Sequence, residues 1–215
     1  MAVMSPPLTE FDHPLDYRDE ISAKPDRVRI LVIPERRYLM IDGTGAPGER
    51  AFADAMASLY PVAYTLHFSL KKRAIEAPVG ALEGLYWIGD PGPISAEQFA
   101  APGAARAWSW RLLLPVPQEC GAEDVAAAID QVRVKKSPPT IDQLRCERWQ
   151  EGLVAQIMHL GPYSAETPTI EALHGAITAR GLRARGCHHE IYISDPNRTA
   201  PTRLRTVVRL PVEWA

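Results

Sequence analysis

Glu190 and Tyr192 lie two residues apart in the stretch His188-His189-Glu190-Ile191-Tyr192. In an extended strand that spacing puts a carboxylate and a phenol on one face, a base that can activate water beside a hydroxyl that can donate to a developing oxyanion. Ile191 and Ile193 fall on the opposite face, which is expected to meet the helices. The same pattern also describes a strand with one solvated face. Trp108 and Trp110 share a strand face, and Trp87 follows Tyr86 on another apolar run. Such rings usually build a core. They also suit a cleft that buries planar ligands, and an acid among them favours a cation.

Other candidate motifs resolve into structure. His188, His189 and Glu190 are adjacent, so neighbouring side chains point to opposite faces and cannot all converge on one ion; no metal site and no cofactor are expected. Gly43-Thr44-Gly45 lacks the lysine and further glycines of a phosphate loop and reads as a turn. Ser164 reads as a helix N-cap, and no Gly-x-Ser-x-Gly elbow accompanies it. Lys71-Lys72-Arg73 and Lys135-Lys136 read as helix C-termini, where cations oppose the macrodipole. Cys120, Cys146 and Cys187 form no C-x-x-C pair and fit a reducing cytoplasm.

These side chains need a scaffold, and 215 residues, 46% of them hydrophobic, are enough for a core. The net charge of -2 gives no field for a phosphate backbone, so no direct nucleic-acid binding is expected, and no run is long enough for a membrane span. Oligomeric state is not legible. Residues 1–26, broken by Pro6, Pro7 and Pro14, read as an arm with at most one helical turn. Strands are expected at 27–33 and 37–41. Phe52, Met56, Leu59 and Tyr60 mark a helix over 49–60, interrupted by Pro61 and resumed over 62–70. Strands follow at 82–88 and 107–116. After a helix over 122–136, the order repeats as strand 151–160, helix 164–180 and strands 188–194 and 203–210. Met40-Ile41-Asp42-Gly43 and Met158-His159-Leu160-Gly161 both run from strand into a glycine turn before a helix. The expectation is an α+β domain over 27–215, made of two strand-helix-strand-strand repeats (about 27–117 and 118–215). They would form an antiparallel sheet with helices on one face and a ligand cleft on the other.

Several segments carry a family resemblance. They are Glu151-Gly152-Leu153, Gln156 to Tyr163, Pro168-Thr169-Ile170, His188 to Tyr192 and Ser194-Asp195-Pro196, with Leu59-Tyr60, Ala63-Tyr64 and Leu82 to Trp87 in the first half. Together they resemble the GyrI-like small-molecule-binding proteins. The resemblance implies a duplicated fold shared with drug-sensing effector domains, a pocket glutamate at Glu190, and a stand-alone branch that hydrolyses cyclopropane-bearing DNA-alkylating compounds. On that reading Glu190, Tyr192 and Tyr64 are catalytic, and Trp87, Trp108, Trp110, Tyr86, Phe68 and His159 contact an aromatic or cationic small molecule. The other readings are a drug-sequestering protein without turnover, and a DNA gyrase inhibitor acting by protein contact.

Overall fold

The computed structural model describes residues 11–101, 103 and 107–215, and the statements below concern those residues. In chain order the elements are α1 (Tyr17–Glu20), β1 (Arg29–Ile33), β2 (Arg36–Thr44), α2 (Arg50–Lys72), β3 (Leu82–Ile88), α3 (Ala96–Ala100), β4 (Trp108–Pro115) and α4 (Ala122–Lys136). They continue with β5 (Arg145–Trp149), β6 (Gly152–Leu160), α5 (Thr167–Thr178), β7 (Leu182–Ala184), β8 (His188–Tyr192) and β9 (Arg205–Trp214). The two strand-helix-strand-strand runs are β2-α2-β3-β4 and β6-α5-β8-β9, with β7 added in the second. Contacts divide the chain into one unit of Met1–Glu35, Tyr86–Ala104 and Gln150–Ala215 and another of Arg36–Leu85 and Ala105–Trp149. Pro6 and Pro7 lie outside the described residues.

In the first unit β6 pairs antiparallel with β1 and β9, and β9 also pairs with β7 and β8. One stripe of α5, Ile170, Leu173 and Ile177, buries itself on Leu153, Ala155, Ile157, Val208, Leu210 and Val212. This register reverses the expectation for β8. Glu190 lies opposite Val208, whose side chain belongs to the α5 core, so His188, Glu190 and Tyr192 share the helix-bearing face. Ile191 and His189 take the other.

That other face is closed by ions and by the arm. Arg209, fully buried, donates to Glu151 at 3.1 Å, to Gln156 at 2.8 Å and to the Glu20 carbonyl at 3.1 Å. His189 sits 2.9 Å from the Glu151 carboxylate. The described part of the arm, from residue 11 onward, is therefore packed in place. Its Asp12 carbonyl takes the Val32 N–H, and Arg29 ion-pairs with Asp12 and Asp19 at 2.5 and 3.1 Å.

In the second unit β2 pairs antiparallel with β4 and β5. Helix α2 runs unbroken through Pro61. Proline removes one N–H, and the carbonyl it strands, on Ala57, lies at an exposed position where water can serve it. The helix α4, expected to open the second repeat, packs on α2 instead. Among the described residues no helix is long and apolar enough to cross a membrane.

Candidate functional site

Three elements of the first unit bring its polar residues together. Gly161 adopts φ +132° and ends β6, a conformation that favours glycine. Pro162 follows, and a short 3-10 turn over Tyr163–Ala165 delivers Glu166 to the N-terminus of α5. Ser164 thus lies inside that turn and does not cap the helix; Glu166 occupies the cap position. From β8 come His188, Glu190 and Tyr192, and from the end of β3 comes Tyr86.

Glu166, His188 and Glu190 are 1%, 1% and 5% exposed, and one ligand atom of each lies within 4.8 Å of the other two. His188 Nε2 is 3.1 Å from Glu190 Oε1. Both Glu166 oxygens are buried without a hydrogen-bond partner, close to Glu190. Burial, then the charge of Glu190, pushes Glu166 up to about 10, which leaves it protonated at neutral pH.

The phenols stay protonated as well. Burial and the Glu190 charge raise Tyr86 and Tyr192 well above the ordinary tyrosine value, and burial with Glu190 and Glu166 pushes Tyr163 up to about 12. Tyr86 Oη and Tyr192 Oη are 2.5 Å apart, and Glu190 lies two residues from Tyr192 on the same face of β8. Tyr163 meets the Tyr192 ring edge-on at 5.7 Å, and Phe99 lies 4.9 Å from the His188 ring. The result is a cluster of two phenols, Tyr86 and Tyr192, and two carboxyl groups, Glu190 and Glu166, with aromatic walls.

Other expected site residues have different surroundings. His159 uses both nitrogens inside the β6–α5 turn: one ring N–H donates to the Pro162 carbonyl at 3.2 Å, and Nδ1 accepts from Thr169 at 2.9 Å. His159 thus holds the turn that presents Glu166. Trp110 has a different environment. It is 1% exposed, meets Phe52 of α2 edge-on at 5.4 Å and covers Gly43, so it is core of the second unit. Trp108, on the same strand face, is also buried, and Trp87 is half-buried on the strand face opposite Tyr86. Tyr64 and Phe68 are 49% and 55% exposed on α2 in the second unit. Glu166 was missed because it reads as part of a capping sequence, and its approach to Glu190 is a tertiary event.

Solved structures resemble this chain over nearly its whole length. An uncharacterised conserved protein from Listeria innocua is 32% identical, covering 89% of this chain and 94% of its own at a TM-score of 0.79. A hydrolase from Listeria innocua is 30% identical over 90% and 95%, with a TM-score of 0.77. The C-terminal domain of EcmrR shares the fold, at 11% identity over 88% and 98% and a TM-score of 0.53. No curated protein matches the chain. The model of the GyrI-like small molecule binding domain matches residues 131–213, a span that holds Glu166, Glu190 and Tyr192. With that match and that degree of identity, the chain belongs to the GyrI-like family of small-molecule-binding proteins.

Proposed function

We propose that the protein binds planar hydrophobic or cationic small molecules beside Glu190 and hydrolyses cyclopropane-bearing DNA-alkylating compounds, a xenobiotic detoxification. The observation that carries this reading is the buried pair in which a protonated Glu166 faces Glu190 next to a protonated Tyr192. The pair then bears one negative charge, which accommodates a monocation or a neutral dienone, and the 30% identity to a hydrolase supports turnover.

In a spirocyclopropyl dienone, strain and aromatisation supply the driving force. Glu190 takes a proton from water as the water oxygen bonds to a cyclopropane methylene. The bond from that methylene to the spiro carbon breaks, and its electron pair enters the ring. The former carbonyl becomes a phenolate, which Tyr192 protonates. Glu190 then returns its proton to Tyr192, its neighbour on the same strand face, so that one water has been added overall. Tyr86, on the Tyr192 hydroxyl, fixes the phenol's direction, and a neutral Glu166 leaves Glu190 as the base of the pair.

The test is a count of turnovers with a spirocyclopropyl-dienone substrate in excess. Phenolic product well beyond one equivalent of protein supports hydrolysis. Product that stops at one equivalent, or bound substrate that remains intact, replaces it with sequestration.

A further inference from the structure

The outer face of α2 carries rings that the candidate site does not use. Tyr60, Tyr64 and Phe68 recur every four residues, one above the next, because the helix continues through Pro61. Their centroids are 6.4 Å apart at each step, with 28° between successive planes. About half of the Tyr64 and Phe68 surface remains in water, at 49% and 55% exposure. Facing the stack, Val132, Lys135 and Lys136 of α4 form the other wall of a groove of about 450 Å³.

The charge of that wall is single-signed. Arg133, on the same helix, is engaged by Asp130 and Asp142. Among the described residues no carboxylate ion-pairs with Lys135 or Lys136, so two ammonium groups stand beside the exposed ring stack. A helix C-terminus accounts for lysines there, but not for aromatic residues opposite them. Parallel ring faces accept a flat aromatic body, and the lysines supply an anion's partner with their stems lying along the apolar surface.

The geometry points to a second small-molecule site on α2 and α4 that takes a planar aromatic anion, such as an aryl sulfonate, carboxylate or phosphate. Its charge preference is opposite to that of the Glu166–Glu190 pair, so the second unit widens the range of compounds bound. This site does not depend on hydrolysis at Glu190.

Titration calorimetry with 1-anilinonaphthalene-8-sulfonate on the full chain tests it. One saturable site is expected, weakened tenfold or more by Lys135→Glu with Lys136→Glu and by Phe68→Ser, and unaltered by Glu190→Gln. Lys135→Met with Lys136→Met removes the charge without introducing repulsion and should weaken the probe in the same direction. Thermal melting identifies any variant that is not folded, and the folded variants decide. Affinity retained in the folded lysine variants, or lost in Glu190→Gln alone, would overturn the assignment, as would absence of saturable binding to the wild-type chain.

Discussion

Glu166 at the head of α5 and Glu190 in the middle of β8 hold carboxyl oxygens within 4.8 Å of each other, both buried, and burial with the Glu190 charge favours a proton on Glu166. Two carboxylates this close cannot both be ionised without a large cost.

Stability should show that proton. Glu166 is pushed up to about 10 when folded and returns to the ordinary glutamate value near 4.5 when unfolded, so the folded state binds more protons between those values. Stability therefore declines as pH rises through that window, by up to about 1 kcal/mol per pH unit. Glu166→Gln, which cannot ionise, should flatten the decline and become the more stable protein at pH 9. Urea midpoints at pH 6 to 9 measure it. Parallel profiles for the two proteins would show that Glu166 is already ionised.

The ionic layer behind β8 should behave in the opposite sense. Burial alone would raise Glu151, but its contacts with His189 and Arg209 outweigh burial and hold it below the usual glutamate value. Its contribution is present above about pH 4.5 and is lost as pH falls through the depressed folded value. Arg209→Leu should cost roughly 3–5 kcal/mol at pH 7, because it removes the cation that the buried Glu20 and Glu151 carboxylates share. A loss under about 1 kcal/mol in chemical denaturation would mean that the layer is wet.

How much of this was legible in the sequence depended on whether the determinant was local. Period-two alternation over His188 to Tyr192 put Glu190 and Tyr192 on one face, and the helix expected over 164–180 contains α5. Which face of β8 meets α5 was not legible. Ile191 pointed one way, while the register Glu190 to Val208 and the buried His189–Glu151–Arg209 cluster decided the other. Pro61 suggested a break, yet the packing of Leu59, Val62 and Leu66 carries α2 straight through it. Glu166 meets Glu190 only because the Gly161–Pro162 turn folds back over the sheet, and no spacing rule encodes that.

Packing around Trp110 offers a further check. A Cβ on Gly43 would lie 2.2 Å from the Trp110 ring, so Gly43→Ala must displace the indole from its place against Phe52. The expected loss is about 1–3 kcal/mol, typical of overpacking in a well-filled core. For a domain of this size it lowers Tm by about 2–4 °C per kcal/mol. Adding Trp110→Phe should recover part of it. An unchanged Tm in Gly43→Ala would place the ring elsewhere.

The central claim is that Glu190 activates water, and Glu190→Gln measures it most directly. Replacing the carboxylate by an isosteric amide leaves Tyr192, Tyr86 and the surrounding rings in place while removing the base. Single-turnover hydrolysis of a neutral spirocyclopropyl dienone should fall by roughly a hundred- to ten-thousandfold, whereas affinity for the same compound, measured by calorimetry, should change far less. Full rate in the folded Gln variant would contradict the account. If that variant instead lost affinity for cationic ligands alone, Glu190 would be a charge partner and not a base.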